Sequence, residues 1–156
     1  MTHAIHTWQP TGHVYLWRYH ENTRNYPGWH LSTDRQGGAA LLALLSLLSS
    51  VSTQVHRTMP LSPPTASVLG VPNNRHGRAR FWAPTKWRLF FDPSPGAADR
   101  WDFPGATDPA VLSFGSAYLP LLVRGVTDVL RQAGDYSIAY EFDDPPDSSR
   151  ELWFWW

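Results

Sequence analysis

The sequence predicts an α+β fold: a mostly antiparallel sheet with two main helices packed on one face. Two observations carry this expectation. Short runs of β-branched and aromatic residues recur between turn residues, and two longer stretches carry a helical apolar period. Two such helices and such a sheet hide their apolar surfaces most simply against each other. At 156 residues the chain fits one domain, 1–156. Residues 1–12 are expected as a flexible or edge segment ahead of it.

His13 to His20 is rich in aromatic and β-branched residues and predicts a first strand. Asn25, Pro27 and Gly28 supply a turn, and Trp29 to Ser32 predicts a second strand hairpin-paired to the first. Thr33 or Asp34 can cap a helix running to about Ser50. Leu41, Leu44, Leu45 and Leu48 form its main face, which Leu42 and Leu47 widen. A helix this apolar is buried on more than one side. Ala39 to Leu48 is still too short for the ~20 residues that span a bilayer.

Val51, Thr53, Val55, Arg57 and Met59 alternate with polar residues and predict a third strand ended by Pro60. Pro63, Pro64 and Thr65 can open a single helical turn. Nine prolines from Pro60 to Pro109 inclusive make this section loop-rich, yet its aromatics require it to pack. Arg78 to Trp82 and Thr85 to Phe91 are its strands. In the second, Trp87, Leu89 and Phe91 share one face, and Lys86 and Arg88 the other. Trp101 and Phe103 anchor the following turn region.

Ala110 to Phe114 predicts a strand, and Gly115-Ser116 the corner into the second helix, with Ser116 as its cap. Leu119, Leu122, Val123, Val126, Val129, Leu130 and Ala133 form the stripe of that helix. Pro120 fits its first turn and Gly134 its end. Tyr136 to Phe142 and Leu152 to Trp156 predict a closing strand pair. In the last strand Leu152, Phe154 and Trp156 point one way, and Trp153 and Trp155 the other. A strand apolar on both faces must be covered twice, by the helices and by aromatics of the proline-rich section.

Composition narrows the chemistry. With no Cys, disulfides, thiolate catalysis and cysteine metal sites are excluded, in keeping with a cytoplasmic location. The N-terminal residues do not resemble a signal peptide. No HExxH, phosphate loop, dinucleotide fingerprint or G-x-S-x-G elbow is present, so no catalytic residue, metal or cofactor is assigned.

Net charge is zero, but the charges are segregated. Residues 35–91 hold no acid and seven cations: Arg35, Arg57, Arg75, Arg78, Arg80, Lys86 and Arg88. Residues 92–156 hold eleven acids against four arginines, a balance of −7. Two arrangements follow: the halves pair side by side within the sheet, or they form separate patches, one of them an interaction face. The candidate basic site is Arg75, Arg78, Arg80, Trp82, Lys86 and Arg88. Its Asn73-Asn74 and Gly77 turn residues could present arginines to an anion or to single-stranded nucleic acid, and an ordinary solvated hairpin loop is the competing account. The candidate acidic patch is Glu141, Asp143, Asp144 and Asp147; Pro145 and Pro146 break any calcium-loop pattern there.

Val71-Pro72-Asn73-Asn74, Gly134-Asp135-Tyr136-Ser137-Ile138 and Leu152-Trp153-Phe154-Trp155-Trp156 together resemble a group of small, uncharacterised bacterial proteins. The resemblance covers the second half of the chain better than the first. It implies bacterial origin and one compact domain, and it attaches no activity. By class-level analogy, small Cys-free aromatic-rich domains are similar to immunity proteins that neutralise toxins.

Three functions compete on this basis. The first is a non-enzymatic protein-interaction domain, in one form immunity-type with a toxin as partner. The second is a nucleic-acid or anion-binding module using residues 75–88. The third is a hydrolase with an acidic site among Asp135, Glu141 and Asp143. None of them involves a membrane.

Overall fold

The computed structural model describes residues 2–20, 26–70, 79–105, 107–139 and 150–156. Among these the helices are α1 (Thr2–Thr7), α2 (Arg35–Leu48), α3 (Ala66–Gly70) and α4 (Leu119–Leu130). The first five strands are β1 (Val14–Tyr19), β2 (Trp29–Thr33), β3 (Val55–Pro60), β4 (Phe81–Trp82) and β5 (Lys86–Asp92). The other four are β6 (Trp101–Asp102), β7 (Ala110–Gly115), β8 (Tyr136–Ile138) and β9 (Leu152–Phe154). The α+β class stands, but the strands form two sheets where one was expected. A five-stranded sheet runs β4-β1-β2-β9-β8 and a four-stranded sheet β3-β5-β7-β6. The β2–β9 and β5–β7 pairs are parallel and the others antiparallel. Sequence patterning marks strands and faces, whereas parallel neighbours distant in the chain leave no local signature.

The elements form for identifiable reasons. Asp34 caps α2, its carboxylate accepting from the Gly37 amide at 2.7 Å and from the His13 amide at 2.9 Å. One side chain thereby ties the helix start to the chain entering β1. Thr65 Oγ1 likewise accepts from the Val68 amide, opening α3 after the two prolines. Val51 and Thr53 precede β3 rather than belonging to it. Ser116 is not the cap of α4: Tyr118 holds that position without a side-chain bond. Gly134 does not stop α4 either. Gln132 adopts the left-handed conformation at φ 56°, and the Ala133 amide reaches the Asp128 carbonyl while the Gln132 amide reaches that of Val129. That pattern is a Schellman ending with glutamine where glycine is usual.

α2 and α4 pack on each other and on β2 and β9, so both helices lie on one face of the five-stranded sheet. The main core joins Leu16, Trp29, Leu31, Leu152 and Phe154 of that sheet to Leu41, Leu44, Leu122 and Val126 of the helices. The inner face of the other sheet, Trp87, Leu89, Phe91, Leu112 and Phe114, belongs to the same core. Phe103 is where the sheets meet: its ring stacks on Trp29 at 4.7 Å and on Trp87 at 6.2 Å. The described part of the N-terminal segment also contributes, since Ile5 of α1 and Trp8 just after it lie in this core. In α4, Gly125 is buried in the stripe and Ala133 is exposed beyond the helix end.

A second core covers the opposite face of the five-stranded sheet. Trp17, Tyr19, Trp155 and Leu69 are buried there, with Tyr26 and Trp153 packed against them. The proline-rich section contributes Leu69 of α3 to this core, but among the described residues the rings packed on Trp153 and Trp155 are Tyr26 and His30, not the aromatics of that section that were expected there. Trp156, expected to share the inner side with Leu152 and Phe154, is instead 45% exposed.

Candidate functional site

The alternation of β5 sorts its residues cleanly. Trp87, Leu89 and Phe91 enter the core, while Lys86, Arg88 and Phe90 face outward. The β3 register places Pro60, Thr58 and His56 beside Lys86, Arg88 and Phe90, and the β7 register places Val111 and Ser113 beside Arg88 and Phe90. Arg88 Nε donates to Thr58 Oγ1 at 2.9 Å, which ties the guanidinium to the neighbouring strand. Phe90 is half-buried, with its ring parallel to His56 at 6.4 Å and the Arg100 guanidinium 5.5 Å from its centroid. The outer face of the four-stranded sheet thus carries an aromatic ring among Lys86, Arg88 and Arg100.

Acids from the other half of the chain border this face. The Asp108 carboxylate accepts from the Thr85 hydroxyl at 2.9 Å and the Thr85 amide at 3.1 Å. The Thr85 hydroxyl, the amides and then the Lys86 charge hold its pKa below the usual carboxylate range. Asp92 is held low chiefly by the Ser94 hydroxyl and amide, with Gln54 and Arg100 adding to the effect. Both acids are committed to turns at the strand ends. Side-by-side pairing of the basic and acidic halves therefore occurs at the rim of β5, and its middle remains basic and aromatic.

The remaining sequence candidates separate. Arg80 and Trp82 belong to the edge of the other sheet, where Trp82 pairs with Arg18 in register and packs at 5.7 Å from the Trp29 ring. Trp82 is therefore a core-side ring and not part of the Lys86–Arg88 surface. The Arg80 carbonyl accepts from the His20 amide at 2.9 Å, which extends the β1–β4 pairing. Arg75 and Arg78 lie outside the described residues, as do Glu141, Asp143, Asp144 and Asp147 of the acidic patch. Asp135 is exposed just before β8, at φ 91°. No group of three or more metal-binding side chains occurs among the described residues. Nor is any described helix long and apolar enough to cross a membrane.

Sequence reasoning passed over Phe90, His56 and Arg100. The signal for Phe90 was available: it occupies the outward position next to Arg88 in a strand whose alternation is plain. Arg100 and His56 reach the same place only through pairings that the sequence does not specify.

His30 is the other notable polar group, buried in the second core. Trp155 Nε1 donates to His30 Nδ1 at 2.9 Å, and His30 Nε2 bonds the Tyr26 carbonyl at 3.2 Å. The ring is thus neutral with its proton on Nε2. It lies parallel to Trp17 at 5.5 Å and edge-on to Tyr19 at 4.9 Å. Burial pushes its pKa down to about 3, against the Tyr26 hydrogen bond, and Arg18 adds to the depression. Both ring nitrogens are occupied by the fold, so His30 is a buried structural connector.

No protein-family model, curated protein or solved structure matches the chain.

Proposed function

We propose that this chain is a protein-interaction domain that binds an acidic partner through the outer face of its four-stranded sheet. The observation that carries the reading is Phe90, a half-buried ring with the Arg100 guanidinium 5.5 Å from it and Arg88 next to it but one. A ring among cations on an open sheet supplies apolar area and Arg forks together, the combination that anchors interfaces. Arg88 is already held by Thr58, which lowers the ordering cost of binding. Lys86 supplies long-range attraction for an acidic surface. The immunity-type form of the reading adds that this partner is a toxin.

A native pull-down compares the wild type with the Lys86→Glu/Arg88→Glu variant, using Arg124→Glu as a control on another face. The expected result is a stoichiometric protein retained by the wild type and the control and lost by the double variant. Identical captured sets for all three would refute the assignment of this face. The same Phe90 also favours a second reading, in which it stacks a base of single-stranded nucleic acid. A steeply salt-dependent oligothymidylate titration that collapses in Phe90→Ala would select that reading over the first.

A further inference from the structure

A cleft of about 340 Å³ lies where the end of α4 meets the start of α2. Its walls include Thr33, Arg35, Arg131, Gln132 and Trp156. We propose that this cleft binds a small ligand joining a flat ring to one oxyanion group, a phosphate or a carboxylate. Four features of the cleft support this.

The volume falls in the range of small-molecule sites. Two exposed arginines, Arg35 from the first turn of α2 and Arg131 from the end of α4, line it, and no Asp or Glu does. Arginine forks match planar oxyanions in two-point hydrogen bonds, so two arginines lining one cleft suit such a group. Trp156 is 45% exposed and is one of only two large apolar side chains exposed among the described residues. Its indole on the cleft wall offers a stacking surface for a ring. Finally, Gln132 lines the cleft from a left-handed position that glycine would occupy more easily. A side chain kept there at a conformational cost fits a role in binding.

Phosphate and carboxylate share this chemistry, so calorimetric titrations use adenosine monophosphate for one and indole-3-acetate for the other. Adenosine and inorganic phosphate serve as the separate halves. At least one joined probe is expected to bind with 1:1 stoichiometry, about tenfold or more tighter than either half; which one binds identifies the oxyanion. Arg131→Ala, Arg131→Lys and Trp156→Ala are each expected to weaken it by about tenfold, the lysine variant because the charge stays and the fork is lost. Arg124→Ala, outside the cleft, leaves affinity unchanged. Thermal melts of the variants separate lost binding from lost folding. Flat titrations of both joined probes to millimolar concentration, or binding unaltered in a folded Arg131→Ala protein, would overturn the assignment. Neither result bears on the sheet face, which shares no residue with this cleft.

Discussion

Gly125→Ala sets two physical expectations against each other. Glycine in a helix interior is about 1 kcal/mol worse than alanine, so propensity alone predicts stabilisation. Gly125 lies in α4 against the last strand, and an added methyl would meet Cζ, Cε1 and Cε2 of the Phe154 ring. That ring is fully buried and is flanked by Tyr136, with centroids 5.6 Å apart. A buried ring can yield only by displacing its neighbours or by parting helix from strand. With three ring atoms in the way, overpacking costs about 2–3 kcal/mol, the upper part of its usual range, which outweighs the propensity gain of about 1 kcal/mol and leaves a net loss of about 1–2 kcal/mol. For a chain of this size the thermal midpoint should fall by about 2–8 °C. Calorimetric melts of the wild type, Gly125→Ala, Phe154→Leu and the double variant check this. The two substitutions should couple, with Gly125→Ala costing less once the ring is gone. A midpoint unchanged or raised in Gly125→Ala alone would refute the close contact of α4 and β9.

Three more outcomes follow from the fold. His30 has a folded pKa of about 3 against an ordinary value of 6.5, so below pH 6.5 the unfolded chain takes up the proton first. Stability present above pH 6.5 should be lost progressively towards pH 3, by up to about 5 kcal/mol at ~1.4 kcal/mol per pH unit. Urea melts at stepped pH measure it, and a flat stability between pH 6.5 and 4 would contradict the buried neutral ring. Gln132→Gly should raise stability by about 0.5–1 kcal/mol by relieving the left-handed residue, read as a shift in urea midpoint at constant slope. Removing residues 152–156 takes away the strand between β2 and β8 and rings of both cores, so cooperative melting should disappear; a truncated chain that still melts sharply would show the tail to be dispensable.

Much of this fold was legible because its periods are clear. The apolar arc of α2 and the alternation of β5 follow from residue spacing, and both match the burial found. The two-sided burial of the closing strand was also foreseeable, since Trp153 and Trp155 on one side and Phe154 on the other cannot all face water. The division into two sheets was not. It depends on the parallel pairings of β2 with β9 and β5 with β7, which join segments far apart in the chain. The basic site was half legible for the same reason. Lys86 and Arg88 were placed correctly on one strand face, but the chain crosses between sheets just before them, leaving Arg80 and Trp82 elsewhere. Neighbours in sequence look like one patch until the topology divides them.

The proposed recognition of acidic surfaces by the outer face of the four-stranded sheet can be read from residue-resolved amide shifts during titration with polyglutamate, an acidic stand-in for the partner. The predicted result is a set of salt-sensitive shifts confined to the strands carrying His56, Thr58, Arg88, Phe90 and Val111, absent from the Lys86→Glu/Arg88→Glu protein. Shifts clustered on any other surface, or the same shifts in the charge-reversed protein, would contradict it.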